Sequence, residues 1–174
     1  PDMRKVPGID FSSGSIGHAL SAGAGMAWAG RLEKRDFAVF VMLGDGEMQE
    51  GQVWEAATFA GHQRLSRLVT IVDRNGYQLD GRVDDVMGIE PLDDKWRSFG
   101  WEVHVTDGHD IAGLTRLLRE VRADDTRGKP CCIIAQTVKG KGVSYMETEP
   151  GWHLGYLDPS DAERAIAEIN AREI

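Results

Sequence analysis

The sequence predicts an α/β fold, a mostly parallel sheet flanked by helices, and two apolar segments carry this prediction. Residues 37–46 and 68–76 each contain a short apolar run that is free of Gly and Pro until its carboxyl end. Such runs are typical of buried strands. Residues 50–64, between them, predict a helix. A strand, a crossover helix and a second strand form a βαβ unit, in which both strands end at the same edge of a parallel sheet.

The remaining segments continue this alternation in chain order. Residues 17–33 predict a helix rich in Ala and Gly, whose small side chains would allow another helix or another protein chain to approach closely. Residues 101–105 predict a strand, residues 110–123 an amphipathic helix, and residues 130–138 another buried strand. A last helix is predicted over 160–172, capped by Asp158 and the two residues that follow it. Parallel order is therefore expected for most of the sheet.

Composition favours one globular domain and excludes several functions. The chain has 174 residues, of which 41% are hydrophobic, and can bury a substantial core. Its net charge of -8 argues against a nucleic-acid partner. The apolar runs are too short to span a membrane and no secretory leader is recognisable, so we expect a soluble, cytoplasmic protein. Cys131 and Cys132 are neighbours, so their side chains should point to opposite faces of a strand and pack in the core.

Polar residues at the ends of the two predicted strands indicate a metal site. Asp45 follows the first strand and Asn75 the second, so the two side chains should meet at the carboxyl edge of the sheet. Carboxylate and amide oxygens suit magnesium, with calcium as the alternative ion. Gly76 would let the carbonyl of Tyr77 face the metal, and the glycines beside Asp45 would admit a diphosphate. The alternative is that Gly44, Asp45 and Gly46 form only a turn.

Two longer motifs make the chain resemble a known family. Residues 44–57 read Gly-Asp-Gly-Glu-Met-Gln-Glu-Gly-Gln-Val-Trp-Glu-Ala-Ala, and residues 73–81 read Asp-Arg-Asn-Gly-Tyr-Gln-Leu-Asp-Gly. Together they resemble the thiamine diphosphate signature in the form that transketolases carry. Residues 7–17, the Lys-Gly-Lys-Gly-Val run at 139–143 and the pair Trp152 and His153 resemble further transketolase loops. The resemblance covers nearly the whole chain, and it implies that residues 1–174 form the thiamine diphosphate-binding domain.

The resemblance also implies roles for individual residues. Asp45, Asn75 and the Tyr77 carbonyl would bind magnesium. Glu50 and Glu55 would form a carboxylate network with an acidic residue of a partner, and His153 would act near the cofactor and the substrate oxygen. The implied cofactor contacts are Gly14, Ser15, Ile16, Gly44, Asp45, Gly46, Glu47 and Asn75.

Simpler roles remain open for two of these residues. Glu50 would also benefit from the helix dipole as a capping residue, and His153 would also be an ordinary surface histidine. His109 is expected to belong to a helix cap.

As implied by the resemblance, the function is the transfer of a two-carbon ketol unit from a ketose phosphate to an aldose phosphate. Full-length transketolases continue into a pyrimidine-binding domain and carry an amino-terminal segment with further histidines. We therefore expect the chain to be the amino-terminal subunit of a split transketolase, lacking that segment, and to join a pyrimidine-domain subunit in an α2β2 assembly. A proteolytic fragment would give the same ends. The alternatives are a catalytically silent assembly subunit or another thiamine enzyme, of dihydroxyacetone synthase or deoxyxylulose-phosphate synthase type.

Overall fold

A four-stranded parallel sheet forms the centre of the computed structural model, which describes residues 2–124 and 128–171. The strands are β1 (Val39–Gly44), β2 (Leu68–Arg74), β5 (Glu102–Asp107) and β6 (Cys131–Gln136), in the spatial order β1-β2-β6-β5. All three strand pairs are parallel, and Gly44 of β1 lies opposite Asp73 of β2. A two-stranded antiparallel ribbon of β3 (Tyr77–Gln78) and β4 (Gly81–Arg82) follows β2. The predicted α/β class is therefore confirmed.

Helices cover both faces of the sheet. The helices are α1 (His18–Leu32), α2 (Gly51–His62), α3 (Val83–Met87), α4 (Leu92–Ser98), α5 (Ile111–Ala123) and α6 (Pro159–Asn170). The larger core contains residues of α1, α2 and α4, and the smaller core contains apolar residues of α5. Cys132 belongs to the larger core and Cys131 to the smaller one, as expected for neighbours on a strand. In the described part of the chain, no helix has both the length and the apolar character needed to cross a membrane.

The small residues of α1 pack mainly against the chain's own sheet. A Cβ added to Gly23 would overlap the side chain of Val41 on β1, and one added to Gly30 would come within 2.6 Å of the ring of Phe37. Ala24 and Ala27 are also buried, whereas Gly25 is exposed. The close approach that this composition predicts is therefore made largely within the domain, and only the exposed side of α1 is left for another chain.

An aromatic cluster joins α2 and α4 to β5. The rings of Trp96 and Trp101 lie 4.7 Å apart, and Trp54 lies 5.5 Å from Trp96. The indole of Trp101 donates to the carbonyl of Ala57 at 2.9 Å, and the indole of Trp54 donates to that of Met48 at 2.7 Å. These contacts fix the position of α2, whose first residue comes directly after the loop that follows β1.

We predict that Gly61→Ala strongly destabilises the fold, because a Cβ at Gly61 would overlap the backbone carbonyl of Phe99. Backbone atoms cannot move aside as a side chain can, so the cost should be about 1–3 kcal/mol or more. Gly25→Ala is the matched control, since its Cβ would meet nothing within 4 Å and Ala favours a helix by roughly 0.5–1 kcal/mol. Urea unfolding of both variants measures the difference. Equal midpoints would contradict the tight packing of α2.

The predicted element boundaries differ from the observed ones by small shifts. The helix predicted over 50–64 is Gly51–His62, and the strand predicted over 101–105 is Glu102–Asp107. The helix predicted over 160–172 is observed as Pro159–Asn170, and residue 172 lies outside the described residues. The carboxylate of Asp158 accepts the backbone N–H of Asp161, which confirms the predicted cap. His109 belongs to the capping segment of α5, as predicted: its carbonyl accepts the backbone N–H of Ile111 at 3.0 Å, and the side chain of Asp110 accepts that of Gly113.

Candidate functional site

Asp45 joins the loops that follow β1 and β2. Its Oδ1 accepts the backbone N–H of Gly46 at 2.8 Å, and its Oδ2 accepts the backbone N–H of Gly76 at 2.6 Å. The residue is only 2% exposed. It begins a 3₁₀ turn, Gly46–Gln49, that leads into α2. The parallel order of β1 and β2 thus brings this carboxylate against the loop that contains Asn75.

Burial raises the pKa of the Asp45 carboxyl above its ordinary value, although the N–H groups of Gly76 and Gly46 favour the charged form. In the described part of the chain its hydrogen-bond partners are these backbone groups and not a cationic side chain. When a buried carboxylate has only backbone N–H groups as hydrogen-bond partners, a bound cation would stabilise its ionised form. The residues present therefore fit a hard divalent ion.

Asn75 immediately precedes Gly76, whose N–H this carboxylate accepts, in the turn that follows β2. Its Oδ1 accepts the backbone N–H of Tyr77 at 2.9 Å, and its Nδ2 donates to Oδ2 of Asp73 at 3.1 Å. Gly76 has φ +78°, the left-handed conformation that favours glycine. Asp45 and Asn75 line one pocket of about 210 Å³. The other lining residues are Arg74, Gly76, Arg82, Val83, Asp84, Ile89 and Glu90. The expected meeting of Asp45 and Asn75 is observed.

Tyr77 adjoins this pocket as the first residue of β3 but is not among its lining residues. Its N–H is directed to Asn75, while the ligand predicted from the sequence is its carbonyl. The assignment of Asp45, Asn75 and Tyr77 as metal ligands stays a prediction.

The two glycines beside Asp45 have different surroundings. A Cβ at Gly44 would meet no atom within 4 Å, which agrees with open space for a diphosphate. A Cβ at Gly46 would lie 2.8 Å from the Cβ of Gln78. The absence of a side chain at Gly46 is therefore required by the chain's own packing, a reason that the sequence does not indicate.

Glu47 connects the two loops that are expected to hold the cofactor. Its Oε1 accepts the backbone N–H of Gly17 at 2.6 Å, and its Oε2 accepts that of Gly44 at 3.1 Å. Gly17 is the N-cap residue of α1 and has no side chain that could cap the helix. The carboxylate of Glu47 therefore provides a hydrogen-bond acceptor and a negative charge at the amino end of α1. The predicted contact of Glu47 with the cofactor stays a prediction, and the structure gives its carboxylate a role within the chain.

Gly14, Ser15 and Ile16 form an exposed loop that leads into α1, and Ile16 is 56% exposed. The bond between Glu47 and Gly17 fixes the end of this loop beside the end of β1. A Cβ at Gly17 would lie 3.0 Å from the Cβ of Glu50, so the start of α2 touches the same point. The loop before α1, the loop after β1 and the start of α2 are therefore adjacent.

Glu50 occupies the capping position of α2, but its side chain makes no capping hydrogen bond. The hydrogen bond that a capping role for Glu50 would require is therefore not formed. Both Glu50 and Glu55 are exposed, as residues that meet another chain would be before assembly.

His153 ends a 3₁₀ turn, Pro150–His153, that packs against β3. Its side chain is exposed. The turn is held by Trp152, whose indole donates to the carbonyl of Tyr145 at 2.9 Å. The turn that ends at His153 is thus placed against the ribbon that follows β2, while the part of His153 in proton transfer stays a prediction.

Other polar contacts at this edge have no signature in the sequence. Asp73 and Thr137 hydrogen-bond to each other through their side chains, and Arg74 pairs with Glu90 at the wall of the pocket. His109 holds the segment after β6, because its Nε2 accepts the backbone N–H of Val138 at 2.8 Å. These partners are separated by 16 to 64 residues in the chain, so local patterns do not reveal them.

Comparisons with known proteins show to which family the chain is related. The family described as transketolase, thiamine diphosphate binding domain, matches residues 1–166. The chain is 41% identical over 168 residues to an apulose-4-phosphate transketolase subunit of Phocaeicola vulgatus, covering 97% of this chain and 59% of that one. It is 40% identical over 168 residues to the 6-deoxy-6-sulfo-D-fructose transketolase subunit SqwG of Clostridium sp. (strain MSTE9), with 97% and 60% coverage.

Solved structures give the same result. A transketolase of Campylobacter jejuni superposes with a TM-score of 0.83 at 26% identity, covering 94% of this chain and 26% of that one. A transketolase of Pichia stipitis in complex with sedoheptulose-7-phosphate gives a TM-score of 0.84 at 25% identity, with 98% and 26% coverage. The chain spans about 60% of the length of the curated relatives named above. With the matched motifs at the carboxyl edge of the sheet, these likenesses show that the chain belongs to the transketolase family, as its thiamine diphosphate-binding domain.

Proposed function

We propose that this chain binds the diphosphate end of thiamine diphosphate, together with magnesium, in a transketolase that transfers a two-carbon ketol unit between sugar phosphates. The observation that carries the proposal is the joining of the loops after β1 and β2 by Asp45, beside Asn75 in one pocket. Relatives whose names describe them as transketolase subunits support the reaction class.

The residues of this pocket would hold the cofactor in a defined manner. Asp45, Asn75 and the Tyr77 carbonyl would bind the magnesium ion, and the open space at Gly44 would receive the diphosphate. When bound, thiamine diphosphate supplies the carbanion chemistry that breaks and remakes a carbon–carbon bond next to a carbonyl group. The exposed loop of Gly14, Ser15 and Ile16 would contact its rings.

Proton transfer would depend on the exposed acids at the start of α2. Glu50 would donate a hydrogen bond to, or accept one from, an acidic residue of the partner, and Glu55 would belong to the same network. Carboxyl groups held close together share protons and shift each other's pKa, as a proton relay requires. His153 would orient the substrate or move a proton near the substrate oxygen.

The partner would be a subunit that carries the pyrimidine-binding domain. The outer side of α1 and α2 has the character of such a contact, since Ile16, Met26 and Phe59 are exposed apolar residues on or beside these helices. A partner on this surface that also covered Glu50 at the start of α2 would close the cofactor in a cleft between the two chains. An assembly with two copies of each chain is proposed.

The test is a reconstitution with the chain, a candidate pyrimidine-domain protein, thiamine diphosphate and Mg²⁺. We expect weak cofactor binding and no ketol transfer from the chain alone, and transfer from a ketose phosphate to an aldose phosphate after mixing. Calorimetry, a coupled transfer assay and sedimentation of the mixture measure these three quantities.

Three results would change the proposal. Rapid transfer by the chain alone would overturn the need for a partner. Cofactor binding by the mixture without transfer from any ketose donor would favour a silent assembly subunit. Turnover with donors of another thiamine enzyme would favour the dihydroxyacetone synthase or deoxyxylulose-phosphate synthase type.

A further inference from the structure

Asp73 is an acidic residue at the centre of the carboxyl edge for which the sequence predicts no role. It lies on β2, opposite Gly44 of β1 and Ala135 of β6, and is half-buried. Its backbone carbonyl accepts the N–H of Asp45 at 3.1 Å. Its carboxylate is engaged on both oxygens: Oδ1 accepts the hydroxyl of Thr137, and Oδ2 accepts the side-chain amide of Asn75 at 3.1 Å.

These contacts determine the orientation of the Asn75 amide. A side-chain amide has an oxygen that accepts and an NH₂ that donates, at nearly equivalent positions. The ionised carboxylate of Asp73 can only accept, and the backbone N–H of Tyr77 can only donate. One orientation of Asn75 therefore satisfies both neighbours, with Nδ2 toward Asp73 and Oδ1 toward Tyr77. The opposite orientation would lose both hydrogen bonds and would present an NH₂ group where an oxygen ligand is needed.

We propose that Asp73, itself held by Thr137, is a positioning residue that orients the Asn75 amide so that its oxygen is available to the magnesium–diphosphate group. Asp73 acts through Asn75 and does not bind the ion. The inference rests on the proposed function, since it takes Asn75 as a metal ligand. Residues that orient metal ligands in this way commonly contribute substantially to metal affinity.

Asp73→Ala in the full-length protein tests this role, because Ala offers no acceptor to the Asn75 amide or to the Thr137 hydroxyl. We expect the affinity for Mg²⁺, measured by calorimetry at a fixed thiamine diphosphate concentration, to fall about 10- to 100-fold. Asp80→Ala is the matched control, because Asp80 is an exposed acid in the turn between β3 and β4 and its replacement removes the same charge. Its effect on the Mg²⁺ affinity should be much smaller.

A reversed pair separates positioning from direct binding of the ion. Asp73→Asn combined with Asn75→Asp keeps the total charge and allows the hydrogen bond to form with donor and acceptor exchanged. The double variant should bind Mg²⁺ more tightly than the sum of the two single losses predicts, as coupled neighbours do. Strictly additive losses, or Mg²⁺ binding by Asp73→Ala equal to that of the wild type, would overturn the proposal.

A second readout needs no cofactor. In the unliganded wild-type protein, the side-chain NH₂ of Asn75 should show slowed hydrogen exchange by NMR, and Asp73→Ala should remove this protection. An unprotected NH₂ in the wild type would overturn the orientation by Asp73. If the NH₂ is protected but the wild type, assembled with its partner, binds no thiamine diphosphate, the proposed function fails while the orientation of Asn75 by Asp73 stands.

Discussion

Replacement of Asp45 by Ala is expected to abolish magnesium-dependent binding of thiamine diphosphate. The carboxylate is the charged member of the proposed ligand set, and the loss should amount to several kcal/mol, on the order of the penalty for an uncompensated charge at a dry site. The backbone N–H groups of Gly46 and Gly76 would also lose their acceptor, so the unliganded fold should lose about 1–3 kcal/mol for each group left unpaired. Calorimetry gives the first quantity and urea unfolding the second.

Asp80→Ala is the control for this prediction, since Asp80 is an exposed acid in the turn between β3 and β4. It should leave cofactor binding and its magnesium dependence unchanged. If Asp45→Ala bound the cofactor with the affinity and magnesium dependence of the wild type, the carboxylate would have only its role in the turn.

Replacement of Glu50 by Gln should reduce turnover far more than stability. Gln keeps a hydrogen-bonding side chain at the start of α2, and the side chain of Glu50 makes no capping bond that could be lost. The free energy of unfolding should therefore change by about 1 kcal/mol or less. Loss of a proton-relay carboxyl should slow turnover by roughly 10²- to 10⁴-fold in the assembled enzyme.

Steady-state rates and thermal melting of the same preparations make this comparison. Glu33→Gln serves as the control, because Glu33 is an exposed acid at the end of α1. A Glu50→Gln enzyme whose rate falls no more than its stability would show that the residue acts only at the helix end.

Long-range packing explains where sequence patterns succeed and where they fail in this chain. The strands are predictable because buried parallel strands form continuous apolar runs, and the meeting of Asp45 with Asn75 follows from the parallel order of β1 and β2. The sequence does not predict helices α3 and α4, since Val83–Met87 and Leu92–Ser98 are too short to show a helical period.

The contacts of single side chains are even harder to predict from the sequence. The small residues of α1 indicate a close neighbour, but composition does not distinguish the sheet of the same domain from a second protein chain. Glu47 belongs to a matched motif, yet its bond to Gly17 spans 30 residues and depends on how α1 packs against the sheet. Asp73 likewise meets Thr137 only when β6 lies beside β2.

The strand order β1-β2-β6-β5 has a consequence for the time at which the site forms. β6 is the last strand in the described part of the chain, yet it inserts between β2 and β5, and the contact between Asp73 and Thr137 closes a loop of 64 residues. Closure of such long loops is slow in folding because its entropic cost precedes any gain from contacts. During synthesis, the edge that carries Asp45 and Asn75 leaves the ribosome well before β6 does. The cofactor loops are therefore completed at a late step, when the final strand docks.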